Sequence, residues 1–271
     1  MNESFENFSK FKNNQIISFY MNFLLLSSCF QIPHPSKVLF GGEDACFVSK
    51  KNSAVGVADG VGGWSNIPGS NSAKYSHDLM DYSKEYSYLP NPLDILENAY
   101  EKVDKTIVGS TTATIAKLND NNLSIINVGD SGCHVYREFK NIFQTKTTSH
   151  RFNFPYQLGF QSNTVPSNGT LDSLLVYSSD IIVCASDGLW DNVYNSDIEQ
   201  LLYDAYEADL NPKVFTKRAA KKLAEMAYKN SEDKEFDSPF VKEAINNGIY
   251  FFSGGKPDDV TVVVSIVDLE K

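Results

Sequence analysis

Residues 54–60 read Ala54-Val55-Gly56-Val57-Ala58-Asp59-Gly60, an apolar run of strand type followed at once by a carboxylate and a glycine. Upstream, residues 45–48 have the same apolar character and follow Asp44. A polar turn at residues 50–53 separates the two runs, so the pattern predicts a β-hairpin. In that hairpin Asp44 and Asp59 would lie side by side at one edge of a sheet.

Three further stretches place carboxylates beside β-type residues. They are Gly41-Gly42-Glu43-Asp44, Ser186-Asp187-Gly188 and Lys256-Pro257-Asp258-Asp259. A lone Asp-Gly is usually only a turn. Four such stretches, each joined to a strand-like run, favour a common site. Hard cations such as Mg²⁺ and Mn²⁺ take oxygen ligands and retain water, so carboxylates at strand ends could converge on them.

The bulk properties exclude some functions and bound others. The chain has 271 residues, 42% of them hydrophobic, and a formal net charge of −10. Because no basic block stands out, we expect no nucleic-acid partner. The four cysteines, Cys29, Cys46, Cys133 and Cys184, form no C-x-x-C pair and predict buried thiols rather than a zinc site. Buried thiols fit a reducing compartment.

The amino-terminal region is open to more than one interpretation. The apolar stretch over residues 16–32 is roughly 17 residues long, at the lower limit for a membrane span, and polar residues interrupt it. We favour a buried strand over residues 23–32, with no stable membrane insertion. Residues 1–22 are predicted to be a frayed extension, and residues 23–271 a single catalytic domain. The location is expected to be intracellular and soluble, with cytoplasm and mitochondrion both left open.

The rest of the chain predicts an α+β domain. Strand-like runs are followed by helical patterns and a last β-branched strand, without the strand–helix alternation of a parallel sheet. Residues 148–170 and 230–250 are predicted to be long loops or irregular segments. Helices are predicted at residues 71–88, from Asn91-Pro92, from a capping box at residues 196–199, and from Asn211-Pro212 to about residue 229.

An ordered set of motifs then carries a family resemblance. The acidic stretches quoted above belong to this set. Its other members are Gly109-Ser110-Thr111-Thr112-Ala113, Asn127-Val128-Gly129-Asp130-Ser131-Gly132 and the longer run Ala185-Ser186-Asp187-Gly188-Leu189-Trp190-Asp191-Asn192. Over roughly residues 23–268 the chain resembles the metal-dependent serine/threonine protein phosphatases of type 2C, in their small stand-alone branch. The resemblance implies an αββα sandwich of two antiparallel sheets flanked by helices.

The resemblance also implies a centre with two Mn²⁺ or Mg²⁺ ions, and a third, weaker site. A water that bridges the ions would attack the phosphorus of phosphoserine or phosphothreonine directly. Asp59 resembles the carboxylate that bridges the ions, and the carbonyl of Gly60 resembles a ligand of one of them. Asp187 and Asp258 resemble ligands of the other. These three aspartates are the predicted catalytic residues.

The remaining implied roles are supporting ones. Asp130 resembles a ligand of the weaker third site. Glu43 and Asp44 would hold metal-bound waters, and Asp259 would support the centre. Phosphoprotein substrates and a monomeric state are expected.

Two positions depart from the family pattern and keep alternatives open. Val61 stands where many members have histidine, and Lys37 is the basic residue nearest the place where many have a phosphate-binding arginine. Lys37 is therefore the candidate phosphate contact.

A pseudo-phosphatase that binds phosphoproteins without turnover is the alternative from another functional class. A phosphatase that acts on small phosphate esters is a further alternative.

Overall fold

The computed structural model describes residues 23–269, so the predicted extension over residues 1–22 lies outside the described residues. The strands β1 to β14 are, in order, Phe23–Ile32, Ala45–Ser49, Ala54–Ala58, Ser110–Thr111, Ala113–Asn119, Asn122–Val128, Gly132–Arg137, Lys140–Gln144, Ser149–Arg151, Phe154–Pro155, Leu158–Gly159, Thr170–Leu175, Ile181–Ala185 and Val260–Leu269. The helices α1 to α6 are Ser72–Glu85, Pro92–Lys102, Asp187–Trp190, Asn195–Glu207, Pro212–Ser231 and Pro239–Asn246.

Ten of the strands form two antiparallel sheets. Sheet I has the order β1-β14-β13-β7-β8, and sheet II has the order β12-β6-β5-β3-β2. Their inner faces share an apolar core that includes Leu25, Val57, Ile125 and Val263. Helices α4 and α5 cover the outer face of sheet I, whereas α1 and α2 cover the outer face of sheet II. The predicted αββα sandwich is confirmed.

The hydrophobic patterns explain where the strands lie. Residues Val260 to Val267 are all buried, because β14 is a central strand with a helix layer on one side and sheet II on the other. The predicted strand over residues 23–32 is β1, which pairs with β14 along its whole length. Among residues 23–269, no helix is both long enough and apolar enough to cross a membrane.

Helix starts follow the predicted caps in two cases and not in a third. The side chain of Asn91 accepts a hydrogen bond from the amide of Leu93, and that of Asn211 accepts one from Lys213. The predicted capping box at residues 196–199 is wrong, because α4 has no side-chain cap. Glu199 instead accepts hydrogen bonds from the amide of Asn141 and from Lys140.

The loop and cysteine predictions need correction. Residues 230–250 contain α6, whose amide at Val241 is capped by Ser238, and residues 148–170 contain the short strands β9 to β11. Cys133 and Cys184 are buried thiols as predicted. Cys29 and Cys46 instead form a disulfide between β1 of sheet I and β2 of sheet II, a long-range pair that spacing alone does not reveal.

Candidate metal centre

The strand registers bring the acidic stretches to the same end of the sandwich. Ala45 pairs with Ala58, so Asp44 and Asp59 leave neighbouring strands side by side, and the predicted hairpin is confirmed. In sheet I, β13 ends at Ala185 beside the start of β14. Asp187 and Asp258 therefore meet at this end, and Asp130 joins them from the turn between β6 and β7.

The backbone of the Asp59-Gly60 turn is held by two threonines. The carbonyl of Asp59 accepts hydrogen bonds from the amide of Thr112 at 2.9 Å and the hydroxyl of Thr111 at 2.8 Å. A Cβ atom on Gly60 would lie 2.4 Å from the carbonyl oxygen of Glu43. Only glycine fits this approach, so Gly60 keeps the two acidic turns in contact.

Asp259 joins the first acidic turn to the start of β14. Its Oδ1 accepts a hydrogen bond from the amide of His34 at 2.7 Å, and its Oδ2 accepts one from the amide of Glu43 at 2.9 Å. Gly42 makes this approach possible with a φ of +87°, since a Cβ atom there would lie 2.9 Å from the carboxylate of Asp259. Asp259 is therefore a structural anchor for Glu43 and Asp44.

Several buried carboxylate oxygens in this region have no hydrogen-bond partner within the described part of the chain. They are both oxygens of Asp44 and Oδ1 of Asp187. Burial and the charge of Asp259 raise the pKa of Asp44 well above its ordinary value. Burial and the carboxylates of Asp44, Asp187 and Asp258 do the same to the pKa of Asp59. The centre therefore crowds buried carboxylates that repel one another when they are ionised.

The pKa values of three further carboxylates of the cluster are also raised. Burial and the charge of Asp187 raise the pKa of Asp130 to about 8 and that of Asp258 to about 6. Burial also raises the pKa of Asp191 to about 7, although the Lys256 ammonium acts against it. Asp187 differs from them: burial alone would raise its pKa, but Lys256 holds it below the ordinary value.

Two lysines form ion pairs within the acidic cluster. Nζ of Lys37 lies 2.7 Å from Oε2 of Glu43 and 3.0 Å from Oδ2 of Asp259. Nζ of Lys256 contacts the carboxylate of Asp187 and lies 2.6 Å from Oδ2 of Asp191. Their attraction to the carboxylates outweighs burial, which acts to lower a lysine pKa, so both lysine pKa values are raised.

The donor set fits a hard divalent cation in kind. All the candidate donor side chains are carboxylates, and Oδ1 of Asp187 has no hydrogen-bond partner among the described residues. Among residues 23–269, however, no three His, Cys, Asp or Glu side chains are close enough to enclose an ion by themselves. A bound Mg²⁺ or Mn²⁺ would need water to complete its shell.

Two residues of this cluster were missed by the sequence analysis. Asp191 lies one helical turn after Asp187, a spacing that puts both carboxylates on one helix face and was a readable signal. Lys256 lies two residues before Asp258, but nothing local indicates that its side chain turns inward. Val61 lies at the turn after Gly60, where its amide donates to the carbonyl of Ser110.

A cavity of about 250 Å³ opens beside the acidic cluster. Its lining includes the carboxylates of Asp130 and Asp191 and the aromatic rings of Phe152, Phe154 and Phe240. The predicted loop over residues 148–170 and the segment after residue 239 therefore border the site.

Comparison with known proteins finds close sequence relatives, although no protein-family model matches the chain. The chain is 42% identical over 251 residues to probable protein phosphatase 2C 80 of Arabidopsis thaliana, covering 90% of this chain and 58% of the relative. It is 35% identical over 250 residues to the protein phosphatase PTC7 homolog of Homo sapiens, covering 83% and 79%. The chain thus spans little more than half the length of the plant relative.

Solved structures agree with these relatives. The photosystem II phosphatase PBCP superposes with a TM-score of 0.80 and 33% identity, covering 90% of this chain and 99% of that one. The catalytic domain of the serine/threonine phosphatase PstP, solved with 2 manganese ions, superposes with a TM-score of 0.62. At 19% identity, that second likeness concerns the fold alone.

Proposed function

The chain belongs to the protein phosphatase 2C family, and we propose that it hydrolyses phosphoserine and phosphothreonine in phosphoprotein substrates. The observation that supports this most directly is the convergence of Asp44, Asp59, Asp187 and Asp258 at one end of the sandwich. The mutual repulsion of these carboxylates when ionised and the unpartnered Oδ1 of Asp187 favour a bound cation. Hydrolysis of phosphate monoesters is a reaction that such a centre supports.

We assign the ion-holding roles to Asp59, Gly60, Asp187 and Asp258. Two Mn²⁺ or Mg²⁺ ions, when bound, would orient a water for attack on the phosphorus, lower its pKa and neutralise the phosphate. Asp59 is suited to face both ions, since Asp44, Asp187 and Asp258 all lie close enough to raise its pKa. Glu43 and Asp44 would hold waters of the ions, on a turn fixed by Asp259. Asp130 borders this set from the cavity.

We assign phosphate orientation to Lys37. Its ammonium is partly exposed and lies 3.9 Å from Oδ1 of Asp258, at the border of the carboxylate cluster. Its pairing with Glu43 and Asp259 holds the side chain in place. An incoming phosphate dianion would meet a preorganised positive charge there.

The proposed function is tested by release of phosphate from phosphoserine and phosphothreonine peptides, with Mn²⁺ and after chelation. We expect turnover only with the metal. Asp59→Asn should lower kcat/KM by at least about 100-fold, since it alters a ligand of the ions. Asp172→Asn, on the outer strand β12, is the matched control and should leave kcat/KM unchanged. Full activity after thorough chelation would refute the metal assignment.

The same assay separates the alternatives. A pseudo-phosphatase would bind the phosphopeptides without releasing phosphate. A phosphatase of small molecules would hydrolyse simple phosphate esters with a higher kcat/KM than any phosphopeptide in a library. The aromatic cavity beside Asp130 favours a larger substrate that contacts the protein beyond its phosphate.

A further inference from the structure

Lys256 occupies the space between two carboxylates of the centre. Its ammonium contacts Oδ2 of Asp187, lies 2.6 Å from Oδ2 of Asp191 and lies 3.8 Å from Oδ2 of Asp258. Only 18% of the side chain is exposed. An ion bound by both Asp187 and Asp191 would have to occupy the volume that the ammonium fills.

The backbone of Lys256 is held as firmly as its side chain. Its amide donates to Oδ1 of Asn192 at 2.8 Å, and its carbonyl accepts from Nδ2 of Asn192 at 2.9 Å. Asn192 is fully buried. Before it, Gly255 packs against the end of α5, where a Cβ atom would lie 2.0 Å from the carbonyl oxygen of Asn230. The fold therefore directs this lysine inward.

The two oxygens of Asp187 have different surroundings. Oδ2 is bound to the Lys256 ammonium, whereas Oδ1 is buried without a hydrogen-bond partner in the described part of the chain. Elsewhere in the cluster, Lys37 pairs with Glu43 and Asp259. The two lysines thus neutralise part of the cluster, whereas Asp59, which adjoins Asp187, has no ion pair with a lysine among the described residues.

We infer that Lys256 is the permanent cation of the Asp187–Asp191 flank and a positioning residue for Asp187. Its ammonium takes the place of an additional metal ion among Asp130, Asp187 and Asp191. By holding Oδ2 of Asp187, it keeps Oδ1 turned toward the region shared with Asp59. In this chain Asp130 then contributes charge at the cavity end and binds no ion of its own while Lys256 is present.

Calorimetric titration of the full chain with Mn²⁺ tests the inference. Lys256→Met removes the charge and keeps an unbranched side chain. We expect this variant to bind one Mn²⁺ more per chain than the wild type, because Asp130, Asp187 and Asp191 then lack their internal cation. Lys256→Arg retains the charge and should bind the same number of ions as the wild type. An unchanged number of ions in Lys256→Met would overturn the inference.

A matched control removes the same charge elsewhere. Lys242 lies on α6, its side chain 54% exposed and 3.4 Å from Asp237. Lys242→Met should leave the number of bound ions unchanged. Any gain there equal to that of Lys256→Met would mean that net charge alone produces the effect, and would also overturn the inference.

Substitution of Asp191 provides a second, independent test of the inference. Because Asp191 binds the ammonium, Asp191→Asn in the wild-type background should leave the number of bound Mn²⁺ ions unchanged. In the Lys256→Met background, the same substitution should abolish the additional ion. If Asp191→Asn removes an ion from the wild type, Lys256 does not exclude metal from this flank. The measurement in the wild-type background can still overturn the inference if Lys256→Met fails to fold, which circular dichroism would reveal.

The inference rests on the proposed use of Asp187 as a metal ligand. Calorimetry measures ion binding and not hydrolysis. A chain that binds ions as expected yet releases no phosphate from any phosphopeptide would refute the proposed function and leave the role of Lys256 standing. Turnover with the opposite calorimetric result would refute the role of Lys256 alone.

Discussion

Replacing Asp259 with alanine removes the acceptor that joins the first acidic turn to the start of β14. The carboxylate is 2% exposed and accepts hydrogen bonds from the amides of His34 and Glu43, at 2.7 and 2.9 Å. It also accepts one from the ammonium of Lys37, at 3.0 Å. In Asp259→Ala, the two amides lose the only hydrogen-bond acceptor that they have in the described part of the chain. Lys37 keeps its ion pair with Glu43.

The expected loss follows from these contacts. Each buried donor left without a partner costs about 1–3 kcal/mol, so two amides lower the free energy of unfolding by roughly 2–6 kcal/mol. Removing a charge beside Asp44 relieves repulsion, which offsets roughly 1 kcal/mol. We therefore expect a net loss of about 1–5 kcal/mol, and a melting temperature lower by roughly 2–20 °C.

Urea unfolding in the presence of a chelator measures this loss without a contribution from bound metal. Asp268→Ala is the matched control, since Asp268 accepts one hydrogen bond, from the neighbouring amide of Leu269 at 2.9 Å. It should change the free energy of unfolding by less than about 1 kcal/mol. If Asp259→Ala were no more destabilising than this control, its three contacts would not anchor the turn.

Three further outcomes concern the centre itself. Asp59→Asn should lower kcat/KM more than Asp187→Asn or Asp258→Asn, because Asp59 is assigned to both ions. Steady-state kinetics across a series of Mn²⁺ concentrations ranks the three variants. Equal losses of kcat/KM would contradict that assignment. Without metal, the raised pKa of Asp130, about 8, means that the folded state binds more protons than the unfolded state, so stability falls as pH rises from about 4 to 8. Protons compete with the ions for the assigned ligands Asp59 and Asp258, whose pKa values are also raised. Added Mn²⁺ should therefore raise the melting temperature more at pH 8 than at pH 6, and an equal rise would refute this. Val61→His should accelerate hydrolysis of an alkyl phosphate more than that of an aryl phosphate, since histidine can protonate a poor leaving group. Equal effects on the two esters would exclude residue 61 from protonation of the leaving group.

Much of the fold was predictable because short sequence patterns indicate its strands and helix starts. The apolar run at residues 54–58 and the β-branched run after Asp259 define strands by themselves, since a strand needs only alternating or continuous apolar residues between turns. Asn91-Pro92 marks a helix start through a side chain and a fixed φ that act within three residues. The order of the acidic motifs then identified the family, and with it the αββα arrangement.

The tertiary structure decided which distant side chains meet. Lys256 lies 65 residues from Asp191 in sequence, and only the register of β13 and β14 together with Asn192 brings the two together. Likewise, Cys29 and Cys46 become partners because they lie on facing sheets. Such contacts depend on how two sheets and their helices pack, a free energy summed over many residues that no short stretch contains. The sequence by itself therefore determined the types of ligand, the strands that carry them and the family, whereas the packed sandwich decided which ammonium lies among which carboxylates.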